Sequence, residues 1–215
     1  MTTILHSSDL HGSYKGLLNA LMAGGFDVWV DTGDFFPNKT RGFTSVEIAH
    51  QTKWFTEWKS LGERLAVALD GKPLISIGGN HDYVSLARLV RAAGGVAFDL
   101  SEGPVTVNGI TFAGFRQIPW IEGEWNGEVH DFTEVIDAAF AADPDVLVTH
   151  APPYGILDDD GYGIGPLTTA LMYRSHKIKA HLFGHAHHHG GQTVTEAEIL
   201  FRNGATGIGL VGVSP

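Results

Sequence analysis

Cysteine is missing from all 215 residues, so neither a disulfide nor a thiolate metal site is open to this chain. Basic charge is scarce as well. Only 14 Lys and Arg stand against 24 Asp and Glu, a formal net charge of −10, and the longest basic cluster is Lys177-Ile178-Lys179. Binding a long nucleic acid depends on neutralising several phosphates, so such a partner is disfavoured. No stretch approaches the roughly 18 uninterrupted apolar residues that cross a bilayer. The start, Met1-Thr2-Thr3-Ile4-Leu5-His6, lacks the basic segment and apolar run of a secretory leader. These absences lead to the expectation of a cytoplasmic protein with no membrane partner.

What the chain has is a 43% apolar content, enough for a sizeable core, and a length that fits one domain over residues 1–215. Short apolar runs at 3–7, 27–31, 74–77, 145–149 and 180–183 predict buried strands. A first helix is predicted over 12–23, closed by Gly24-Gly25. A longer one is predicted to start at Thr44, which has capping-box spacing to Glu47, and to run to about residue 68. Its Trp54, Trp58, Leu61 and Leu65 share one face, read as packing on a sheet. Further helices are predicted over 84–93, 132–142 and 168–175. Asn108-Gly109 between two β-prone runs is a hairpin signal, and a second hairpin is predicted over 193–201. The pattern is that of a layered α/β domain with two sheets inside and helices outside.

Five short segments then stand out, each directly after a strand-like run. They are Asp9-Leu10-His11, Gly33-Asp34, Gly79-Asn80-His81-Asp82, Thr149-His150 and Gly184-His185-Ala186-His187. Any one of them is an ordinary turn; all five in order at strand ends are not. Together they offer carboxylates, imidazoles and one carboxamide, an oxygen and nitrogen set suited to hard or borderline divalent ions. A pair of such ions is what phosphate-ester hydrolysis uses. Asp9 and His11, like His185 and His187, are two residues apart, so both can point to one side of an extended segment.

This ordered set resembles that of the calcineurin-like metallophosphoesterases: Asp-x-His, Gly-Asp, Gly-Asn-His-Asp/Glu, a lone His and Gly-His-x-His, here spanning residues 9–187. The stretch Thr149-His150-Ala151-Pro152-Pro153-Tyr154-Gly155-Ile156-Leu157-Asp158 is similar to one in the small metallophosphodiesterases first noticed in vertebrate brain and in their bacterial relatives. Ala151 stands where that group has Gly.

The resemblance implies an α/β fold, a four-layer α/β/β/α sandwich with two mixed central sheets. It implies two divalent metal ions, one held by Asp9, His11 and His187, the other by Asn80, His150 and His185, with Asp34 bridging both. Mn is the expected metal, and Fe, Zn, Co or Ni suit the same ligands. A hydroxide shared by the ions would attack phosphorus in line. His81 would donate a proton to the leaving oxygen, its ring oriented by Asp82. Asn80, Arg116, Trp120 and Trp125 are expected to contact substrate, the last three from a loop that borders the site in the resembled group. The implied activity is hydrolysis of a small phosphate ester, first a cyclic nucleotide-like diester. Alternatives are a phosphomonoesterase acting on proteins or dinucleoside polyphosphates, a nuclease, and a non-catalytic metal-binding interaction module.

Among the remaining polar residues, His6 and His181 are expected as hydrogen-bonded core residues, and His188 and His189 as exposed ones. Asp158-Asp159-Asp160 reads as a polar turn, because Thr169 stands where a calcium loop needs Glu. The Gly-rich segment 161–165 is expected to form a flexible loop over the site.

Overall fold

The computed structural model describes residues 1–40, 43–57, 61–159 and 161–215, so Trp58 and Asp160 lie outside the described residues. In chain order the strands are β1 (Thr2–Ser7), β2 (Val28–Asp31), β3 (Leu74–Ser76), β4 (Ala97–Asp99), β5 (Val105–Val107), β6 (Ile110–Phe115), β7 (Ile118–Pro119), β8 (Glu128–Val129), β9 (Val146–Thr149), β10 (Ala180–Phe183), β11 (Thr193–Glu196), β12 (Ile199–Asn203) and β13 (Ile208–Val213). The helices are α1 (Lys15–Ala23), α2 (Thr44–Glu57), α3 (Leu61–Leu69), α4 (Leu86–Ala92), α5 (Thr133–Ala141) and α6 (Gly165–Tyr173).

Two mixed sheets form the centre. The first has the order β13-β1-β2-β3-β4, parallel from β1 to β4 with β13 antiparallel at one edge. The second runs β11-β12-β10-β9-β6-β5, parallel in the middle and closed at each edge by an antiparallel hairpin strand. Alternation along the strands separates three cores. Ile4, Val28, Val30 and Ile75 meet Phe112, Val146, Val148 and Leu182 between the sheets. Leu5, Trp29 and Leu74 face outward onto Leu17 and Leu21 of α1, Leu65 of α3 and Val90 of α4. Leu147, Phe183 and Phe201 carry Ile136 of α5 and Leu167 of α6. The result is the helix, sheet, sheet, helix layering expected from the resemblance.

The five predicted strands are present as β1, β2, β3, β9 and β10. Both predicted hairpins form, with Asn108 (φ 52) and Gly109 (φ 77) turning β5 into β6, and Ala197 (φ 46) and Glu198 (φ 66) turning β11 into β12. Strands β4, β7, β8 and β13 had no sequence forecast. The first helix begins at Lys15 and not at residue 12, because Gly12 and Ser13 are spent on a turn, Gly12 N–H donating to Phe35 O and Ser13 N–H to Leu10 O. Helix α6 starts three residues before its forecast, with Pro166 in its first turn.

The forecast helix from Thr44 corresponds to α2 and α3, and its capping box is corrected. Glu47 turns away from the helix start, and its buried carboxylate accepts from Lys39 N–H (3.1 Å), Thr40 N–H and the Thr40 hydroxyl (2.9 Å). Trp54 packs as expected, its ring against Tyr14, Phe35 and Phe36. Among the described residues, no helix is long and apolar enough to cross a membrane.

Phe112 sits fully buried between the sheets. Phe112→Ala is expected to cost about 3–5 kcal/mol of unfolding free energy by urea denaturation. Val67→Ala, on the exposed side of α3, should change it by no more than about 0.5 kcal/mol.

Candidate metal centre

All five sequence segments leave the carboxyl ends of parallel strands. Asp9 and His11 follow β1, Asp34 follows β2, and Asn80 and His81 follow β3; from the facing sheet, His150 follows β9, and His185 and His187 follow β10. The ladder continues past the strand ends, with Asp9 N–H to Gly33 O (2.8 Å), His11 N–H to Asp34 O (2.9 Å) and Gly184 N–H to His150 O (2.9 Å). Asp9 (φ 55), His11 (φ 43), Asp34 (φ 55) and His185 (φ 67) all adopt the left-handed backbone region. For non-glycine residues each such conformation costs on the order of 1 kcal/mol, retained here where side chains must converge. Two glycines permit that convergence by close approach. A Cβ on Gly79 would collide with Asp34 and His150, and one on Gly184 with Ser8 and Asp9.

The side chains meet at short range. Asp9, His11 and His187 each offer one ligand atom within 4.8 Å of the others, and the same holds for Asp9, Asp34 and His150, and for His11, Asp34 and His81. Such groups can hold metal. Asp34 Oδ2 lies 3.4 Å from His150 Nε2, 3.9 Å from His81 Nε2 and 4.0 Å from His11 Nε2. His187 Nε2 is 3.1 Å from Asp9 Oδ1, and His185 N–H donates to Asp9 Oδ2 (2.9 Å).

The chemistry of this donor set fits a cation. His150 Nδ1 donates to Thr32 O (2.8 Å), so the neutral ring presents a lone pair at Nε2. That lone pair faces Asn80 Oδ1 at 2.9 Å and the Asp34 carboxylate, neither of which is a donor. His185 Nε2 is buried without a hydrogen-bond partner among the described residues. A group of acceptors this dense needs either a proton or a metal ion between them.

The acidities express the same demand. Burial opposes charge on His150, but Asp34 outweighs it, with Asp9 adding to the effect, and the imidazole is pushed up to about 9. Burial also opposes charge on Asp34, yet His150, His81 and His11 pull its carboxyl well below the ordinary range. His187 is raised, chiefly by its hydrogen bond to Asp9. His185 has no such partner, and burial lowers it to about 4.

One expectation is corrected. Asp82 does not orient the His81 ring. Its buried carboxylate accepts from the N–H groups of Gly79 (3.0 Å), Phe36 (3.1 Å) and Phe35 (3.4 Å), tying the 79–82 turn to the loop after Asp34. The ring is held instead by Asn38, whose Oδ1 is 2.6 Å from His81 Nδ1. Arg116 donates through Nη2 to Gly79 O (2.7 Å) and Asp82 O (2.9 Å), so it props the turn from behind. Trp120 stacks on His130 (4.6 Å), half exposed, whereas Trp125 lies over His81 with ring centroids 4.3 Å apart. Of the two tryptophans, Trp125 is the one in contact with a motif residue.

Sequence reasoning misread Glu47 and missed Asn38 and Gln51, and also Ser8, whose hydroxyl donates to Asp9 Oδ2 (2.5 Å). It missed Asn203, which donates to Ala186 O (2.8 Å) and so steadies the His185–His187 turn. His6 and His181 are buried on threonine hydroxyls, at 3.1 and 2.8 Å, as expected. His188 is exposed and His189 half exposed, both beside Asp159. Asp158 accepts from Gly155 N–H (2.8 Å), in keeping with a polar turn. The 161–165 segment borders the site through Tyr162, edge-on to His185 at 5.5 Å, while Ile164 N–H to Pro152 O (2.9 Å) ties down its end.

Residues 2–189 match the sequence profile of a family described as calcineurin-like phosphoesterase. Among solved structures, the calcineurin-like phosphoesterase YfkN from Bacillus subtilis is 14% identical over 97% of this chain and 83% of its own, with a TM-score of 0.49. GAP50, the anchor in the inner membrane complex of Plasmodium, is 11% identical over 95% of this chain and 71% of its own, with a TM-score of 0.50, a likeness of fold alone. No protein of curated function matches the sequence.

The acidities predict a pH signature. His150 is raised to about 9 from an unfolded value near 6.5, so in chelator-treated protein its stabilisation is complete below about pH 6.5 and lost as pH rises to 9. A metal ion competes with that proton, so its binding strengthens over the same window. Thermal melts should show the chelated protein losing stability from pH 6.5 to 9.5 while the increment from added Mn²⁺ grows. A pH-independent increment would count against His150 as a ligand.

Proposed function

The chain belongs to the calcineurin-like phosphoesterase family, and on that premise we propose that it is a two-metal phosphodiesterase acting on small, cyclic nucleotide-like diesters. The observation that carries the reading is the convergence of lone pairs from Asp9, Asp34, Asn80, His150 and His185 at the ends of two facing sheets. In this reading Asp9, His11 and His187 would hold one ion and Asn80, His150 and His185 the other, with Asp34 shared between them. Two divalent ions so held would supply a nucleophile and charge neutralisation at the phosphate.

The chain's own residues do the rest. His81 Nδ1 donates to Asn38, leaving Nε2 turned towards Asp34 and the cluster, where an imidazolium can pass its proton to the leaving oxygen. Trp125 lies against that ring. Beside it, a groove of about 520 Å³ bounded by Phe43, Tyr83, Trp125 and Asn126 has room for the alcohol portion of an ester. The preference for diesters rests on the likeness of 149–158 to the brain-type branch. Mn²⁺ as the working metal and a cytoplasmic setting belong to the same reading.

The test compares bis-p-nitrophenyl phosphate with p-nitrophenyl phosphate, using chelated protein reloaded with Mn²⁺. Metal-dependent turnover of the diester is expected to exceed that of the monoester. A monoester preference would install the phosphatase reading, and no turnover despite bound metal would favour an interaction module. His81→Ala should reduce kcat on 3′,5′-cyclic AMP by about 10²–10⁴-fold with metal content retained. Asp34→Asn should lose both metal and turnover.

A further inference from the structure

We propose that Asn38 is a positioning residue for His81, held in register by helix α2 through Glu47 and Gln51; the inference rests on the reading of His81 as proton donor. Three hydrogen bonds with Asn38 and Gln51 clamp this one histidine. Asn38 Oδ1 is 2.6 Å from the ring Nδ1, Asn38 Nδ2 donates to the His81 carbonyl (3.0 Å), and Gln51 Nε2 donates to the same carbonyl (2.6 Å). The orientation of the Asn38 amide follows from its surroundings. Its nitrogen faces two oxygens, the His81 carbonyl and Glu47 Oε2 at 3.5 Å, so its oxygen faces the ring. A carboxamide oxygen only accepts, so His81 carries its proton on Nδ1 and the working lone pair or second proton on Nε2.

Helix α2 supplies the frame. Glu47 and Gln51 are one helical turn apart and both fully buried. Buried polar side chains are costly unless satisfied, and among the described residues the partners of these two lie in the segments flanking the site. Glu47 gathers the backbone of Lys39 and Thr40, which carries Asn38. Gln51 Oε1 accepts from Tyr83 N–H (2.8 Å), so its amide spans both sides of Asp82. Loop 38–40 and turn 80–83 come from different strand ends, and α2 fixes them to each other. The role resembles that of an asparagine that orients a catalytic histidine without sharing its charge.

Two measurements test this. Long-range ¹H–¹⁵N correlation of zinc-loaded protein should show the Nδ1–H form of His81 in the wild type. That form should be lost in Asn38→Ala, whereas in Asn38→Asp, which keeps the acceptor oxygen, Nδ1 should stay protonated. Kinetics should then separate positioning from general damage. The ribose hydroxyl leaving 3′,5′-cyclic AMP needs a proton, whereas nitrophenolate does not. Asn38→Ala should lower kcat on the cyclic ester by about 10–100-fold, at least tenfold more than on bis-p-nitrophenyl phosphate, with KM and metal content unchanged. Equal losses on both substrates together with an unchanged tautomer would overturn the proposal. If the wild type cleaves neither diester, the reading of His81 as acid fails separately, and the tautomer still decides whether Asn38 positions the ring.

Discussion

The structure depends on holding together acceptor atoms that repel one another unless a proton or a cation lies between them. Asp9 and Asp34 are nearly inaccessible to solvent, His150 is fully buried, and the acceptor atoms of Asn80 and His150 lie 2.9 Å apart. Left to themselves in water these groups would separate. They stay because each is attached to a strand end whose position is set by several buried apolar side chains, and the inter-sheet core fixes one set of strand ends against the other. The left-handed residues Asp9, His11, Asp34 and His185 show the same bargain locally: backbone energy is spent to aim a side chain that an ordinary turn would direct elsewhere.

Much of the polar machinery around the centre consequently serves backbone and not substrate. Asp82 binds three N–H groups, Arg116 binds two carbonyls of the same turn, and Asn126 donates to Asp82 O (2.7 Å). These residues carry the chemistry of an active site by type but the work of a scaffold by contact. Their effect on function passes through the placement of Asn80 and His81. The Asp82 carboxyl is pushed up to about 6 by burial and by Asp34, which accords with a group placed for its backbone bonds at an electrostatic cost.

The residues that converge were legible in the sequence because strand-end turns keep donor and position together: an apolar run, a glycine, then a ligand. The layered architecture was legible for a related reason, since the buried parallel strands read as continuous apolar stretches. What escaped was set by tertiary contact. Asn38 and His81 are 43 residues apart, and Gln51 and His81 are 30 apart. Nothing local in Pro37-Asn38-Lys39 or in an amphipathic helix announces those pairings. Glu47 was misread because its local spacing to Thr44 satisfied a capping rule, while the folded chain offered it closer donors on the preceding loop. Strand β13 escaped for want of strand character, with two glycines in Ile-Gly-Leu-Val-Gly-Val, yet pairing with the whole of β1 recruits it.

A neutral residue behind His81 has an electrostatic consequence. A carboxylate in the place of Asn38 would stand beside the buried Glu47 carboxylate, two like charges within hydrogen-bonding range of one loop. It would also favour the imidazolium from behind, independently of what occupies the front. With an amide there, the charge on His81 answers to burial and to the groups it faces: Asp34, which favours the proton, and His11 and His150, which oppose it. In the proposed reading those are the same groups that would hold the cation and meet the phosphate. The acid would then be oriented by the helix and charged by the site, so that its readiness to give up a proton would follow the state of the centre.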